Sequence, residues 1–248
     1  REEQCCGALT HHMGDDGDAL ARARHNIDVW LGEAERGNLD AILITTSGCG
    51  TVIKDYGYML RQDRAYAEKA ARVSALAKDV TEYVAGLALA FPEKRSDLVV
   101  AYHAACSLQH GQKILRAPKE LLFKSGFVVK DIPEGHLCCG SAGTYNIMQP
   151  DIAEKLRARK IANIAALKPD VVAAGNIGCI VQIAGKAGEQ GGSLPVLHTI
   201  ELVDWATGAG RDEAKARLDI AKETWRQCHD RDVDHVYGLM SLVKEQLG

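Results

Sequence analysis

Short apolar runs alternate with longer amphipathic stretches along most of the chain. Four of the apolar runs are aliphatic and bounded by turn residues, which predicts buried strands. They are Ala41–Thr45, Leu98–Tyr102, Phe127–Lys130 and Val171–Ala174. Four stretches between and beside them have the helical period: Ala19–Glu33, Arg64–Ala90, Ile114–Lys124 and Asp151–Ala166. Strands that alternate with helices predict an α/β fold with parallel sheets.

The chain also contains an internal repeat. Cys5-Cys6-Gly7 and Cys138-Cys139-Gly140 each open a segment with the same sequence of features. Each segment continues with a glycine-containing stretch, then a helical pattern with an Arg-Ala-Arg triplet, and then an apolar run that follows an aspartate. A small-residue turn then holds one cysteine, Cys49 in the first copy and Cys179 in the second. Because four features recur in one order, we interpret the chain as an internal duplication.

The repeat predicts the domain organisation. We expect two pseudo-repeated Cys-Cys-Gly lobes, each with a short parallel sheet flanked by helices, followed by a helical tail. The expected boundaries are residues 1–95 for the first lobe, 96–207 for the second and 208–248 for the tail. Within the tail, Ala214–Trp225 and Val236–Leu247 have helical patterns.

The cysteines are the candidate metal ligands. Cys49, Cys106 and Cys179 each follow the end of a predicted strand. Loops beyond the carboxyl ends of parallel strands lie at one edge of the sheet, so distant cysteines can meet there. The second copy offers four thiols, the usual ligand complement of a [4Fe–4S] cluster. These are Cys106, Cys138, Cys139 and Cys179.

The first copy offers only Cys5, Cys6 and Cys49. By the spacing from Cys106 to Cys138, the matching fourth cysteine would precede residue 1. The chain begins with arginine rather than methionine, so we expect it to be part of a longer protein. In both copies the adjacent cysteines crowd one another, and the sequence leaves open which member of each pair binds iron.

Other residues near the cysteines have expected supporting roles. Gly48, Gly140 and Gly178 would let backbone N–H groups approach the cluster sulfurs. Helices that begin after Cys49 and Cys179 would direct their positive ends toward an anionic cluster. We expect the nearby histidines to lie at the surface or to donate hydrogen bonds rather than to bind iron. They are His11, His12, His103, His110 and His136.

Composition excludes several classes of protein. The net charge is −3 with no basic block, and there are only three Trp, seven Tyr and three Phe, so nucleic-acid binding is not expected. The longest apolar run, Val84–Phe91, is too short to span a bilayer. No export signal precedes the motifs, so we expect reduced thiols and a cytoplasmic location.

The chain resembles the family built on the CCG cysteine-rich domain, and within it the iron–sulfur subunits of glycolate oxidase (glycolate dehydrogenase). Six stretches carry the resemblance: CCGALTHHMG at Cys5–Gly14, TTSGCGTVIKDYGYML at Thr45–Leu60, YHAACSLQHGQKI at Tyr102–Ile114, CCGSAGTYNIMQP at Cys138–Pro150, GNIGCIVQI at Gly175–Ile183 and LHTIELVDW at Leu197–Trp205. The resemblance implies an electron-transfer subunit that takes electrons from FAD-containing subunits oxidising glycolate and passes them to a quinone. It also implies a preceding ferredoxin-like domain, and a location in the cytoplasm or peripherally on the inner face of the plasma membrane.

Alternatives remain at this point. Heterodisulfide reductase B and lactate-utilisation proteins share the motif and act on thiols, quinone or other 2-hydroxy acids. Heterodisulfide reductase relatives end the motif in Cys-x-x-Cys, whereas this chain has Thr46 and Asn176 at the first of those positions. That departure favours electron transfer over thiol chemistry. A zinc site and a scaffold without metal are the remaining interpretations.

Overall fold

The structure, a computed structural model, describes residues 2–37, 39–187 and 194–208. The chain divides into two compact units. The first comprises the described residues up to Leu87 together with Cys106–Leu115, and the second comprises Ala88–Ala105 together with the described residues from Arg116 onward. The segment Cys106–Leu115 thus belongs with the first unit, and the boundaries of the expected lobes stay a prediction.

The first unit contains a two-stranded parallel sheet within its described residues, with Ile42 opposite Ala77. Its elements are α1 (Ala8–His12), α2 (Asp16–Glu35), β1 (Ile42–Ile44), α3 (Ser47–Met59), α4 (Ala67–Leu76), β2 (Ala77–Asp79), α5 (Val80–Val84) and a π-helical turn at Ser107–Gly111. Apolar side chains of α2, α3 and α4 form the core with the strands, and Tyr56 is fully buried among them.

The second unit contains a parallel sheet whose described strands have the order β4-β3-β5-β6. Its elements are β3 (Val99–His103), α6 (Ala117–Lys124), β4 (Val128–Asp131), α7 (Tyr145–Met148), α8 (Pro150–Ala166), β5 (Val171–Ala174), α9 (Ile177–Ala187), β6 (Val196–His198) and α10 (Thr199–Thr207). The central strands β3 and β5 are buried along nearly all their length, as expected for a parallel sheet covered on both faces. The expected α/β class with short parallel sheets is confirmed.

The prediction of one helical stretch over Arg64–Ala90 is wrong in its middle. The chain forms β2 at Ala77–Asp79 and then starts a new helix. Asp79 accepts a hydrogen bond from the backbone N–H of Thr81, and Glu82 accepts one from the backbone N–H of Asp79. The preceding helix ends at Leu76 because the next three residues pair with β1, and the reciprocal capping box then begins a new helix.

The same arrangement occurs in the second unit, where β6 was not predicted. His198 ends the strand, accepts a hydrogen bond at Nδ1 from the N–H of Ile200, and donates its own N–H to Glu201. Each copy of the repeat thus ends with a short strand that leads directly into a capped helix. The internal repeat therefore extends further than the cysteine motifs.

The glycine of each Cys-Cys-Gly motif packs against the helix that follows it. Gly7 and Gly140 have positive φ angles of 79° and 97°. A Cβ at Gly7 would lie 3.0 Å from the carbonyl oxygen of Ala19, the fourth residue of α2. A Cβ at Gly140 would overlap the carbonyl oxygen of Ala153, the fourth residue of α8. Only glycine permits both this backbone conformation and this close approach.

The expected tail lies outside the described residues, apart from Gly208 at the end of α10. Within the described ranges, every helix is too short or too polar to cross a lipid bilayer.

Replacement of Gly140 with alanine should lower the free energy of unfolding by more than replacement of Gly14. Both glycines have positive φ angles, which cost an alanine roughly 1–2 kcal/mol. A Cβ at Gly14 meets no atom within 4 Å, whereas one at Gly140 overlaps the backbone of α8. Urea denaturation of the two variants measures the difference. Equal losses would contradict the packing role of Gly140.

Candidate metal centre

The carboxyl ends of two neighbouring strands position the centre in the second unit. His103 is the last residue of β3 and lies opposite Ala174, the last residue of β5. The chain then turns into α9, which begins at Ile177 and holds Cys179 in its first turn. The loop after β4 supplies Cys138 and Cys139. Parallel topology therefore brings residues from three parts of the chain to one edge.

Three potential ligand atoms meet at this edge. The side-chain donor atoms of His103, Cys139 and Cys179 all lie within 4.8 Å of one another. All three side chains are buried, with 1%, 1% and 5% of their surface exposed. The adjacent Cys138 is half-buried, and its sulfur accepts a hydrogen bond from the N–H of Gly140 at 3.3 Å. The structure therefore gathers three of the four predicted second-copy cysteines in one unit.

The thiols influence one another electrostatically. Hydrogen bonds to Cys138 and Cys179, together with burial, raise the pKa of Cys139. The hydrogen bond from Cys139, assisted by the nearby imidazole of His103, lowers the pKa of Cys179. One sulfur of the group is thus disposed to be a thiolate, the form in which cysteine binds metals.

A buried lysine lies beside the thiols, and sequence reasoning missed it. Lys160 is only 2% exposed, and its Nζ donates to the carbonyl oxygen of Glu134 at 3.1 Å. Burial lowers the pKa of Lys160, and electrostatic interaction with Cys139 and Cys138 opposes that shift. The signal was present in the sequence, because Lys160 shares the inward face of α8 with Ala153 and Ile164.

The first unit repeats the contact between the cysteines. A hydrogen bond to Cys49 and burial raise the pKa of Cys6. The same bond lowers the pKa of Cys49 to about 7. In both units, therefore, the second cysteine of the adjacent pair contacts the single cysteine in the first turn of the following helix. Cys5 also contacts Cys6.

Two buried polar side chains hold the first cysteine pair in place. Tyr56 donates to the carbonyl oxygen of Cys6 at 2.7 Å. Asn26 accepts from the N–H of Gln4 and donates to its carbonyl oxygen. Asn26 follows Ala19 by seven residues, as Lys160 follows Ala153. Each copy thus uses a buried polar group on the same turn of its helix to bind the loop before the cysteines.

Cys106 belongs to the first compact unit. It precedes the turn Ser107–Gly111, which packs against the start of α3. The hydroxyls of Ser107 and Ser47 are 2.7 Å apart, and Gln112 donates to the carbonyl oxygen of Ser47 at 2.9 Å. The assignment of Cys106 to the second-copy ligand set stays a prediction.

The helices near the single cysteines begin earlier than expected. α3 starts at Ser47 and α9 at Ile177, so Cys49 and Cys179 lie within the first helical turn rather than before it. In the second copy, Asn176 accepts a hydrogen bond from the N–H of Cys179 at 3.2 Å. Asn176 therefore caps the helix at the position where a Cys-x-x-Cys motif would have its first cysteine.

The three glycines occupy different local environments. Gly48 is the second residue of α3. A Cβ at Gly178 would lie 2.8 Å from Oγ of Ser141, so this glycine lets α9 approach the Cys-Cys-Gly loop. Gly140 packs against the first turn of α8. Contact of Gly48, Gly140 and Gly178 with a cofactor stays a prediction.

Most of the charged residues near the motifs make ordinary surface contacts. Each arginine of the two Arg-Ala-Arg triplets pairs with a carboxylate: Arg22 with Asp18, Arg24 with Asp63, Arg157 with Glu154 and Arg159 with Glu134. Four of the five histidines near the motifs are partly or fully exposed: His11, His12, His110 and His136. His103 differs from them, since it is buried beside two thiols.

The sequence matches a model of the CCG cysteine-rich domain over residues 1–54 and 100–184. It is 42% identical over 205 residues to the glycolate oxidase iron-sulfur subunit of Escherichia coli (strain K12), which covers 83% of this chain and 49% of that protein. It is 29% identical over 217 residues to the probable glycolate oxidase iron-sulfur subunit of Bacillus subtilis (strain 168), a match that covers 84% of this chain and 47% of that protein. It is 24% identical over 206 residues to lactate utilization protein A of Bacillus licheniformis, a match that covers 81% of this chain and 82% of that protein.

The chain thus spans about half the length of the two glycolate oxidase subunits that it matches. The family match includes both Cys-Cys-Gly motifs and both single cysteines that contact them. The chain therefore belongs to the CCG cysteine-rich domain family.

Proposed function

We propose that the chain is the iron–sulfur electron-transfer part of a glycolate dehydrogenase complex. It takes electrons from FAD-containing subunits that oxidise glycolate and passes them to a quinone-type acceptor. The observation that carries the proposal is the buried group of thiols and imidazole at the edge of the second sheet. The name of the E. coli relative, an iron-sulfur subunit of glycolate oxidase, supports it.

The donor set fits an iron–sulfur cluster. Thiolates are soft ligands that suit iron in sulfide-bridged clusters. Cys138, Cys139 and Cys179 would hold a [4Fe–4S] cluster, and Cys106 is the further ligand that the sequence predicts. The corresponding residues of the first copy are Cys5, Cys6 and Cys49. When bound, such a cluster supplies one-electron redox chemistry.

The residues around the thiols control the access of water to the sulfurs and the electrostatic potential at the site. Burial of Cys139 and Cys179 excludes water from the sulfurs. The positive charge of Lys160, held in place by the carbonyl oxygen of Glu134, lowers the electrostatic cost of adding an electron nearby. Gly140 donates its N–H to the sulfur of Cys138, a contact that also stabilises negative charge on sulfur.

Transfer to a quinone implies contact with a membrane surface. We therefore propose a cytoplasmic chain that works peripherally at the inner face of the plasma membrane. Thiol or disulfide reduction of the heterodisulfide reductase kind is less well supported, because the capping residue Asn176 replaces a cysteine there. Oxidation of another 2-hydroxy acid is the second candidate, since the lactate utilization protein matches over 82% of its own length.

Serine replacement of Cys139 or Cys179 should remove iron and sulfide from the second site. Serine keeps the size of the side chain but binds iron weakly, and both sulfurs lie at the centre of the buried group. Iron and acid-labile sulfide are measured on anaerobically purified protein, with the visible absorption of the cluster. Cys228→Ser is the control, since Cys228 belongs to neither motif.

Two results would contradict the assignment. If the unmodified chain holds less than about one iron atom, when a [4Fe–4S] cluster needs about four, it carries no cluster. If both variants keep the iron, sulfide and spectrum of the Cys228→Ser control, these cysteines are not ligands.

Replacement of Lys160 with methionine should lower the reduction potential of the second site. Loss of a buried positive charge destabilises the more negative reduced state, by on the order of tens of millivolts at an effective dielectric constant near ~20. A redox titration followed by electron paramagnetic resonance measures the shift. Lys155→Met, on the exposed side of the same helix, should shift the potential much less, and equal shifts would contradict the role of Lys160.

Glycolate should reduce the iron–sulfur signal only when the FAD-containing subunits are present. The full complex is mixed anaerobically with glycolate, and cluster absorption is followed with time, beside the same chain without the flavin subunits. Lactate in place of glycolate separates the two candidate substrates. Reduction by lactate but not by glycolate would overturn the glycolate assignment, and reduction without a flavin subunit would overturn the carrier role.

A further inference from the structure

The burial of His103 has a free-energy cost that the contacts within its own unit do not offset. It is 1% exposed, and neither ring nitrogen has a hydrogen-bond partner of good geometry among the described residues, although the ring interacts with the thiol of Cys179. An unsatisfied buried polar group costs roughly 1–3 kcal/mol. An aliphatic side chain would fill the same space at the end of β3 without that cost. The burial of this imidazole therefore points to a missing partner.

The surroundings of His103 indicate what that partner is. Its ring lies beside Cys139 and Cys179, with all three donor atoms within 4.8 Å. A hydrogen bond to one thiol would satisfy at most one nitrogen and would leave both sulfurs without metal. Ligation to iron would also occupy one ring nitrogen, but it would bind both sulfurs as well, with each of the three donors taking its own iron of the cluster. Mixed sulfur and imidazole ligation is chemically ordinary, as Rieske centres and Cys₃His zinc sites show.

We propose that His103 is a nitrogen ligand of the iron–sulfur centre in the second unit, alongside Cys139 and Cys179. This inference rests on the proposed function, because it requires that the site hold iron. It differs from the expectation drawn from the sequence, in which His103 was a hydrogen-bond donor or a surface residue.

The assignment has two consequences. A histidine ligand means that one member of the adjacent pair is not needed, which relieves the crowding of two consecutive cysteines at one centre. Cys138 is the candidate, since it lies outside the group of three donors and is less buried than Cys139. A neutral imidazole in place of a thiolate also makes the centre less negative, which raises its reduction potential.

The direct test uses the unmodified chain. Two samples are prepared, one grown with ¹⁵N-histidine and one with unlabelled histidine. Each is purified anaerobically with its cluster and reduced with dithionite. Pulsed electron paramagnetic resonance then detects nitrogen nuclei coupled to the cluster electron spin. We expect a strong coupling that changes from the ¹⁴N to the ¹⁵N pattern on labelling, as for a directly bound imidazole. Loss of that coupling in His103→Cys identifies the residue.

His103→Cys also tests the effect on potential. Cysteine supplies a thiolate in place of the imidazole, so iron and sulfide should remain while the reduction potential falls. His136→Gln is the control, since His136 is exposed near the same cysteine pair, and it should keep both the nitrogen coupling and the potential.

The outcomes separate this proposal from the proposed function. Iron and sulfide at the level of a cluster, without a strong histidine coupling, would overturn the ligand assignment and leave electron transfer intact. A coupling that survives in His103→Cys would likewise overturn it. Absence of iron from the unmodified chain would overturn the proposed function, and the ligand assignment with it.

Discussion

The structure depends on how each Cys-Cys-Gly turn is held against the helix after it. Gly7 and Gly140 adopt positive φ angles and bring the turn within contact of a backbone carbonyl in the first turn of that helix. This contact fixes the second cysteine of each pair beside the single cysteine in the next helix. It does so with backbone alone, so the cysteine side chains remain available as ligands.

Both units share this arrangement, which brings together cysteines that lie far apart in the sequence. Each copy closes with a strand that passes directly into a capped helix. In the second unit, the carboxyl ends of β3 and β5 lead to His103 and to Cys179 in the first turn of α9, where the loop after β4 brings Cys139. Burial of Cys139, Cys179 and His103 then makes the electrostatics of the site strong, because little water screens their charges.

The strong sequence signals predicted the fold well. The strands at Ala41–Thr45, Leu98–Tyr102, Phe127–Lys130 and Val171–Ala174 correspond to β1, β3, β4 and β5, since short aliphatic runs bounded by turn residues are typical of buried strands. β2 and β6 were missed because each passes directly into the following helix, with no turn residues to mark its end. The matching Asp79–Glu82 and His198–Glu201 pairs are the sequence signal for the capped helices, and each pair marks where a strand ends.

The site was predicted less completely than the fold. The repeat indicated that cysteines from separate loops converge, and the structure brings Cys139 and Cys179 together with Cys138 beside them. Sequence spacing could not show that Lys160 and His103 are buried there, because burial of a polar residue depends on tertiary packing. Lys160 did lie on the apolar face of its helix, and that was the available clue.

Iron K-edge X-ray absorption of the anaerobically purified chain tests the central claim most directly. If thiols from separate loops hold a cluster, each iron will show a shell of sulfur neighbours near ~2.3 Å, the usual metal–thiolate distance, and a further shell of neighbouring iron. Iron surrounded by oxygen and nitrogen, with no iron neighbour, would contradict it.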